Sequence, residues 1–218
     1  MKQIKFLFFL ILTVLIFGCC VDTAQYPSQT QSKLFYEYIR KSTITILRQD
    51  DLNDFGPMCA GVWVSQLDIL TAKHCVKDDD EPAQIGKLIP FRTVFEQEKQ
   101  YSNKIRPHYA FLLAIDPKSD LAIIRTIETN ISHPIISVYP EDKVPWPGMS
   151  VFIVGHTSGL EYTLCTGIIS NNRNMEINEI GDKFLQISAP IWKGNSGGGA
   201  FSINGQLVGI ASLVFTKA

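Results

Sequence analysis

The chain has 218 residues, of which 45% are hydrophobic and 19% charged, with a formal net charge of −1. This is the composition of an ordinary globular protein, long enough for one substantial domain or two small lobes, and not that of a disordered or fibrous chain. Near-neutral charge without a run of Lys and Arg excludes the basic footprint that nucleic-acid binding requires.

In chain order, the first segment reads as an address. Lys2 and Lys5 flank the start of an apolar run over 6–18, broken only by Thr13. A membrane span takes about 20 apolar residues, so this run has the length of a signal-peptide core. It ends Leu15-Ile16-Phe17-Gly18-Cys19, which resembles a bacterial lipobox, although Phe17 is bulkier than that motif usually takes. The resemblance implies cleavage before Cys19 and acylation of its thiol. The chain is then exported from the cytoplasm and held to a membrane by an N-terminal lipid, facing the periplasm or the cell exterior. Residues 20–35 are polar, rich in Gln, Ser and Thr and interrupted by Pro27, and read as a tether.

A helix is expected over 31–41, and a helical turn after Thr71. The rest is a succession of short β-like runs at 43–47, 60–65, 69–72, 92–96, 109–115 and 121–125. After a break near Pro134 they resume at 150–154, 164–170, 184–188, 198–202 and 206–214. Short runs punctuated by Gly, Pro, Asn and Asp favour an all-β sandwich or barrel over alternating β and α. The acidic cluster Asp78-Asp79-Asp80-Glu81 could hold a hard cation, but nothing near it has ligand spacing, and it reads as a solvated loop. No metal or cofactor is expected.

Export changes the meaning of the cysteines, because disulfides persist in oxidising compartments. Cys59 and Cys75 are paired here as a disulfide, since no C-x-x-C or His cluster points to a metal. Cys165 is left as a buried small hydrophobe, and Cys20 is unassigned.

The chemistry starts at Gly194-Asn195-Ser196-Gly197-Gly198. Glycines on both sides of a serine allow a sharp turn with free N–H groups, which can bind the oxyanion formed when the serine attacks a carbonyl. The same pattern serves as the nucleophile elbow of α/β-hydrolases, where a histidine must follow the serine. All four histidines, His74, His108, His133 and His156, precede Ser196, so that order is excluded and His, Asp, Ser stays open. His74 follows a buried-looking run and adjoins Cys75, which would pin it; the other three read as structural. The acid that orients the base is Asp120, at the start of an apolar run, or Asp116, beside Pro117. Spacing favours Asp120 only modestly.

Together, Thr71-Ala72-Lys73-His74-Cys75, Asp120-Leu121-Ala122 and Gly194-Asn195-Ser196-Gly197-Gly198 resemble the three signature blocks of trypsin-like serine proteases, in the family's order. Val154-Gly155-His156 and Thr166-Gly167-Ile168-Ile169-Ser170 are similar to the bacterial HtrA-type branch. The resemblance implies one protease domain over 36–218, built as two six-stranded β-barrels over about 40–130 and 134–218, with the active site in the cleft between them. It implies His74, Asp120 and Ser196 as a triad, the N–H groups of Gly194 and Ser196 as the oxyanion hole, and polypeptides as substrates. Pro190, six residues before the nucleophile, falls at the base of the primary pocket, with Ile210, Ala211 and Ser212 on the opposite wall. No acid is present there to hold Lys or Arg, so cleavage after small or medium apolar residues is expected. Lys73 stands where the family has a small residue and Gly199 where it has proline, and the chain stops at Ala218, before any PDZ domain. Asn195 has no charge to pair with a freed N-terminal amine, so local packing must position the Gly194 N–H. A silent protease-fold scaffold and an esterase on the same fold are the alternatives; the oligomeric state is not legible.

Overall fold

The computed structural model describes residues 29–49, 55–77, 82–94, 107–173 and 184–212. The signal segment with Cys19 and Cys20, residues 20–28 of the tether, and the acidic cluster 78–81 lie outside the described residues. One helix, α1 (Gln29–Lys41), starts two residues before the expected position. Its end is well satisfied: the Ser42 hydroxyl donates to the Tyr38 carbonyl at 2.7 Å and the Thr43 hydroxyl to the Ile39 carbonyl at 2.9 Å. These are carbonyls that a helix terminus leaves without intrahelical partners. Arg40 and Lys41 sit at the same end, where the helix dipole favours cations.

Six antiparallel strands close a barrel: β1 (Thr43–Gln49), β2 (Phe55–Trp63), β3 (Asp68–Ala72), β4 (Leu88–Thr93), β5 (His108–Ile115) and β6 (Leu121–Thr126). Their hydrogen-bonded order is β1-β2-β3-β6-β5-β4, with β4 returning to β1. Five more, β7 (Ser150–Gly155), β8 (Thr163–Arg173), β9 (Phe184–Ile187), β10 (Gly199–Phe201) and β11 (Leu207–Ile210), form a second sheet in the order β11-β10-β7-β8-β9. The expected all-β double-barrel architecture is present. The second lobe has five named strands among the described residues where six were expected, with Val138 bridging to Leu207 beside them.

The strand patterns explain how the lobes meet. Along β6 the residues alternate between more and less buried positions, as a strand with one face on a core should. In β1, by contrast, residues 43–47 are all buried. Ile44 and Ile46 enter the first barrel's core with Trp63, Ile69, Phe91, Leu112 and Ile124. On the opposite face, the Thr45 hydroxyl reaches Glu161 Oε2 at 3.1 Å. Both faces are covered because the second lobe packs on one of them. A second cluster, with Ile39, Val62, Val154, Tyr162, Phe201 and Leu207, joins residues of both sheets and α1. Within this contact Arg92 and Glu161 form a buried ion pair, their side chains 9% and 7% exposed. Removing one partner of such a pair strands a buried charge and costs about 3–5 kcal/mol.

The Cys59–Cys75 disulfide forms, with Cα atoms 5.9 Å apart and a sequence separation of 16. It ties β2 to the short 3-10 turn Lys73–Cys75 that follows β3. Closing a loop of that length stabilises a fold by roughly 3 kcal/mol. Cys165 is free and buried.

Candidate active site

The 3-10 turn after β3 projects His74 toward the start of β6, where Asp120 sits. His74 Nδ1 and Asp120 Oδ2 are 2.6 Å apart, and the His74 backbone N–H donates to Asp120 Oδ1 at 2.9 Å. The Asp120 side chain is 7% exposed and that of His74 37%, so the acid is held inside while the base faces the cleft. Burial pushes the Asp120 carboxyl up, but hydrogen bonds from His74 and Ser212 outweigh it and hold it below the ordinary value. It is therefore a carboxylate at neutral pH, which accepts from Nδ1–H and leaves Nε2 as the basic nitrogen.

The two candidate acids differ in what they hold. Asp116 accepts from its own turn, the Lys118 N–H at 2.9 Å and the Ser119 hydroxyl at 2.6 Å. That is an Asx turn, a local brace. Lys73, the departure from the family's small residue, donates from Nζ to the Asp116 carbonyl at 3.0 Å and the Ser119 carbonyl at 2.7 Å. Its ammonium thereby ties the turn before Asp120 to the turn that carries His74.

Ser212 was expected in the wall of the substrate pocket. Its hydroxyl also serves the acid, donating to Asp120 Oδ2 at 2.5 Å. No local pattern announces this. The available hint is the general need of a buried carboxylate for donors on every lone pair.

Ser196 reaches the same place through the backbone. Its carbonyl accepts the Ala60 N–H at 2.8 Å, and the Ala60 carbonyl accepts the Thr71 hydroxyl at 2.7 Å, three residues before His74. Gly197 has φ +79°, and a Cβ there would collide with the Ala60 carbonyl, so only glycine permits this approach. The Gly197 N–H donates to the Ala211 carbonyl at 2.8 Å, beside Ser212. Asp120, His74 and Ser212 are thus in direct contact, while Ser196 is brought up by its main chain and its Oγ makes no hydrogen bond among the described residues. Loose nucleophile–base contacts are common in such sites before substrate binds.

The serine turn shows a second regularity. The N–H groups of Asn195, Gly197 and Gly198 are all bonded within the fold, to Trp192, Ala211 and Asn195 carbonyls. Among the described residues those of Gly194 and Ser196 donate to nothing, and Gly194 has φ +95°. Two uncommitted donors flank one buried residue. Of the expected pocket residues, Ala211 lies against the serine turn and Ile210 packs on both main core clusters, whereas Pro190 lies on exposed chain ahead of Trp192. A cleft of about 500 Å³ opens beside His74, lined by Lys73, Pro82, Ala83, Ile115 and Ser212 among others.

Residues 59–210 match the family described as trypsin-like peptidase domain. The chain belongs to that family. A probable periplasmic serine endoprotease DegP-like from Marinomonas sp. (strain MWYL1) is 33% identical over 116 residues, 53% of this chain and 24% of the relative. The protein of the same description from Pseudomonas putida (strain W619) is 30% identical over 150 residues, 69% and 27% of the two chains. The chain therefore spans about a quarter of the length of these relatives. An HtrA-type protease solved with a tripeptide shares the fold, with TM-score 0.65, 22% identity, and coverage of 84% of this chain and 55% of that one.

The other three histidines all have structural partners. His108 Nδ1 meets Glu128 Oε2 at 2.6 Å, and His133 stacks on Trp63 with ring centroids 3.8 Å apart. His156 is 1% exposed; Nε2–H donates to the Ile44 carbonyl at 3.1 Å and Nδ1 accepts from the Tyr162 N–H at 3.1 Å. Nδ1 can accept only in the neutral ring. Burial is the main cause that lowers its pKa to about 4. The unfolded state, near the ordinary 6.5, therefore binds the proton first, and stability is full above that value and lost as pH falls toward 4. The loss should be roughly 3 kcal/mol, at 1.36 kcal/mol per unit. Urea unfolding between pH 7.5 and 4.5 checks it: wild type should lose that much more than His156→Gln, and parallel curves would exclude His156 as the source. Among the described residues, one grouping of His, Cys and acids has ligand atoms close together, Cys59, His74 and Cys75, and its two sulfurs are spent on the disulfide.

Proposed function

We propose that the chain is an exported serine endopeptidase that hydrolyses polypeptides through an acyl-enzyme. The observation that carries this reading is the pair of buried Asp120 and half-exposed His74 beside a serine turn with two uncommitted N–H groups. His74 Nε2 takes the Ser196 hydroxyl proton as Oγ bonds to the scissile carbonyl carbon. The Gly194 and Ser196 N–H groups receive the negative charge that develops on the carbonyl oxygen. Collapse breaks the C–N bond, and His74 returns its proton to the leaving amine. Water, deprotonated by the same nitrogen, then releases the acyl group from Ser196. Asp120 keeps the imidazole in the right tautomer and stabilises its charged form. In this reading the primary pocket lies between Pro190 and 210–212 and takes small or medium apolar side chains.

The test is labelling by a fluorophosphonate probe, followed by cleavage of unfolded casein and sequencing of the products. Labelling at Ser196 with cuts after apolar residues is expected. Labelling without proteolysis favours an esterase, and neither favours a silent binding protein. Dominant cuts after Lys or Arg would overturn the pocket.

Export and anchoring are part of the same proposal. The lipobox-like end places a lipid on Cys19, and the DegP-like relatives are described as periplasmic. Cys19→Ser should move the protein from the membrane to the soluble fraction, or leave its precursor uncut. A wild-type protein that is soluble and unlipidated would leave a plain secreted peptidase.

A further inference from the structure

Three consecutive residues, His156, Thr157 and Ser158, donate hydrogen bonds to the three consecutive residues before Ser196. The His156 N–H donates to the Gly194 carbonyl at 3.1 Å, and the Ser158 N–H to the Lys193 carbonyl at 2.9 Å. Between them the Thr157 hydroxyl donates to Asn195 Oδ1 at 2.8 Å. Asn195 is fully buried, and its Nδ2 has no hydrogen-bond partner, so Thr157 holds the one hydrogen bond described for this side chain. The two segments touch closely enough that a Cβ on Gly155 would lie 2.6 Å from Asn195 Oδ1, and one on Gly194 would collide with the His156 carbonyl.

This ladder determines where the Gly194 N–H points. A trans peptide is planar, with its N–H directed opposite to its C=O. Ser158 holds the Lys193 carbonyl on one side, so the Gly194 N–H faces the other, where it donates to nothing among the described residues. The donating segment is itself fastened to the first barrel. His156 Nε2 bonds the Ile44 carbonyl, Glu161 pairs with Arg92, and Tyr162 lies at 3.3 Å from the Thr45 hydroxyl.

We propose that Thr157 is a positioning residue for the oxyanion hole. Its hydroxyl, acting through the buried Asn195 amide, latches the 193–196 turn so that the Gly194 and Ser196 N–H groups stay aimed at the carbonyl under attack. The latch is neutral and built in, which is why an uncharged residue can precede the nucleophile. The inference rests on the peptidase reading above.

The experiment compares Thr157→Val, which keeps the shape and removes the hydroxyl, with Thr157→Ser, which keeps the hydroxyl, in the full mature chain. Thr157→Ala against Thr157→Ser gives the same comparison if valine prevents folding. The readouts are kcat and KM on a fluorogenic peptide taken from the casein products, and the affinity of a peptide boronic acid, whose oxygen occupies the oxyanion hole. Deleting one oxyanion donor costs about 10²–10³ in kcat, so displacing it should cost on the order of 10- to 100-fold. Thr157→Val should show that loss in kcat, with KM within about twofold and boronate binding weakened in parallel, as expected when only transition-state binding is lost. Thr157→Ser should restore both. An active wild type with equally active Val and Ala variants overturns the latch alone, as does a loss confined to KM. A wild type that neither takes the fluorophosphonate nor cleaves casein overturns the peptidase reading and the latch with it.

Discussion

Replacing Ser196 with alanine should leave a folded protein whose peptide hydrolysis falls by a factor on the order of 10⁶, the loss typical of a serine peptidase without its nucleophile. The fold should survive because Ser196 holds its place by main-chain contacts. Its carbonyl accepts from Ala60, and its Oγ makes no hydrogen bond among the described residues, so alanine removes no stabilising contact. Ser196 is half-buried, and alanine fits the same space. Thermal unfolding should therefore stay close to wild type while the fluorophosphonate signal disappears. Retained labelling of Ser196→Ala would place the nucleophile elsewhere.

The second large effect belongs to Asp120→Asn. In the wild type Oδ2 accepts from both His74 Nδ1 and the Ser212 hydroxyl, while Oδ1 accepts the His74 N–H. An asparagine can keep Oδ1 as that acceptor but then presents an NH₂ group to Nδ1. The imidazole proton is driven to Nε2, the nitrogen that must take the serine proton. The expected cost is on the order of 10⁴ in kcat with the backbone unchanged, as for the wrong tautomer in serine proteases generally. Asp116→Asn should stay near wild type, because Asp116 braces only its own exposed turn. Kinetics of the two variants decide the matter: an inactive Asp116→Asn beside an active Asp120→Asn would reverse the roles.

Both variants probe a site whose parts come from four places in the chain. In the proposed mechanism the turn after β3 brings the base, the start of β6 the acid, the turn before β10 the serine, and the chain after β11 the Ser212 hydroxyl. Two of these lie in each lobe. The contacts that join them, Ala60 to Ser196 and Ser212 to Asp120, run from one lobe to the other. If the proposed mechanism holds, its geometry depends on how the lobes pack, and the buried Arg92–Glu161 pair bears on activity as well as on stability.

Much of this was legible in residue order alone. Short apolar runs separated by turn residues dictate an all-β chain, since strand periodicity and turn chemistry are local properties. Three short blocks in the order His, Asp, Ser narrow the chemistry, because three co-ordered blocks are far more specific than any one alone. The pairing of Cys59 with Cys75 was also readable, from the expected export and from the lack of any metal-ligand pattern around them. Other features were settled only in three dimensions. Asp116 and Asp120 differ by four positions and carry the same group; burial and partners separate them, and those come from residues far away. Ser212 lies 92 positions from the carboxylate it serves, and the Thr157–Asn195 contact spans 38. Serine, threonine and asparagine are common everywhere, so their presence signals nothing until folding removes water and leaves one partner within reach. What the sequence determined by itself is the set of reactive groups and the strands that carry them. Which polar side chain orients which group was decided by the packing of two lobes, where a buried donor must find its acceptor.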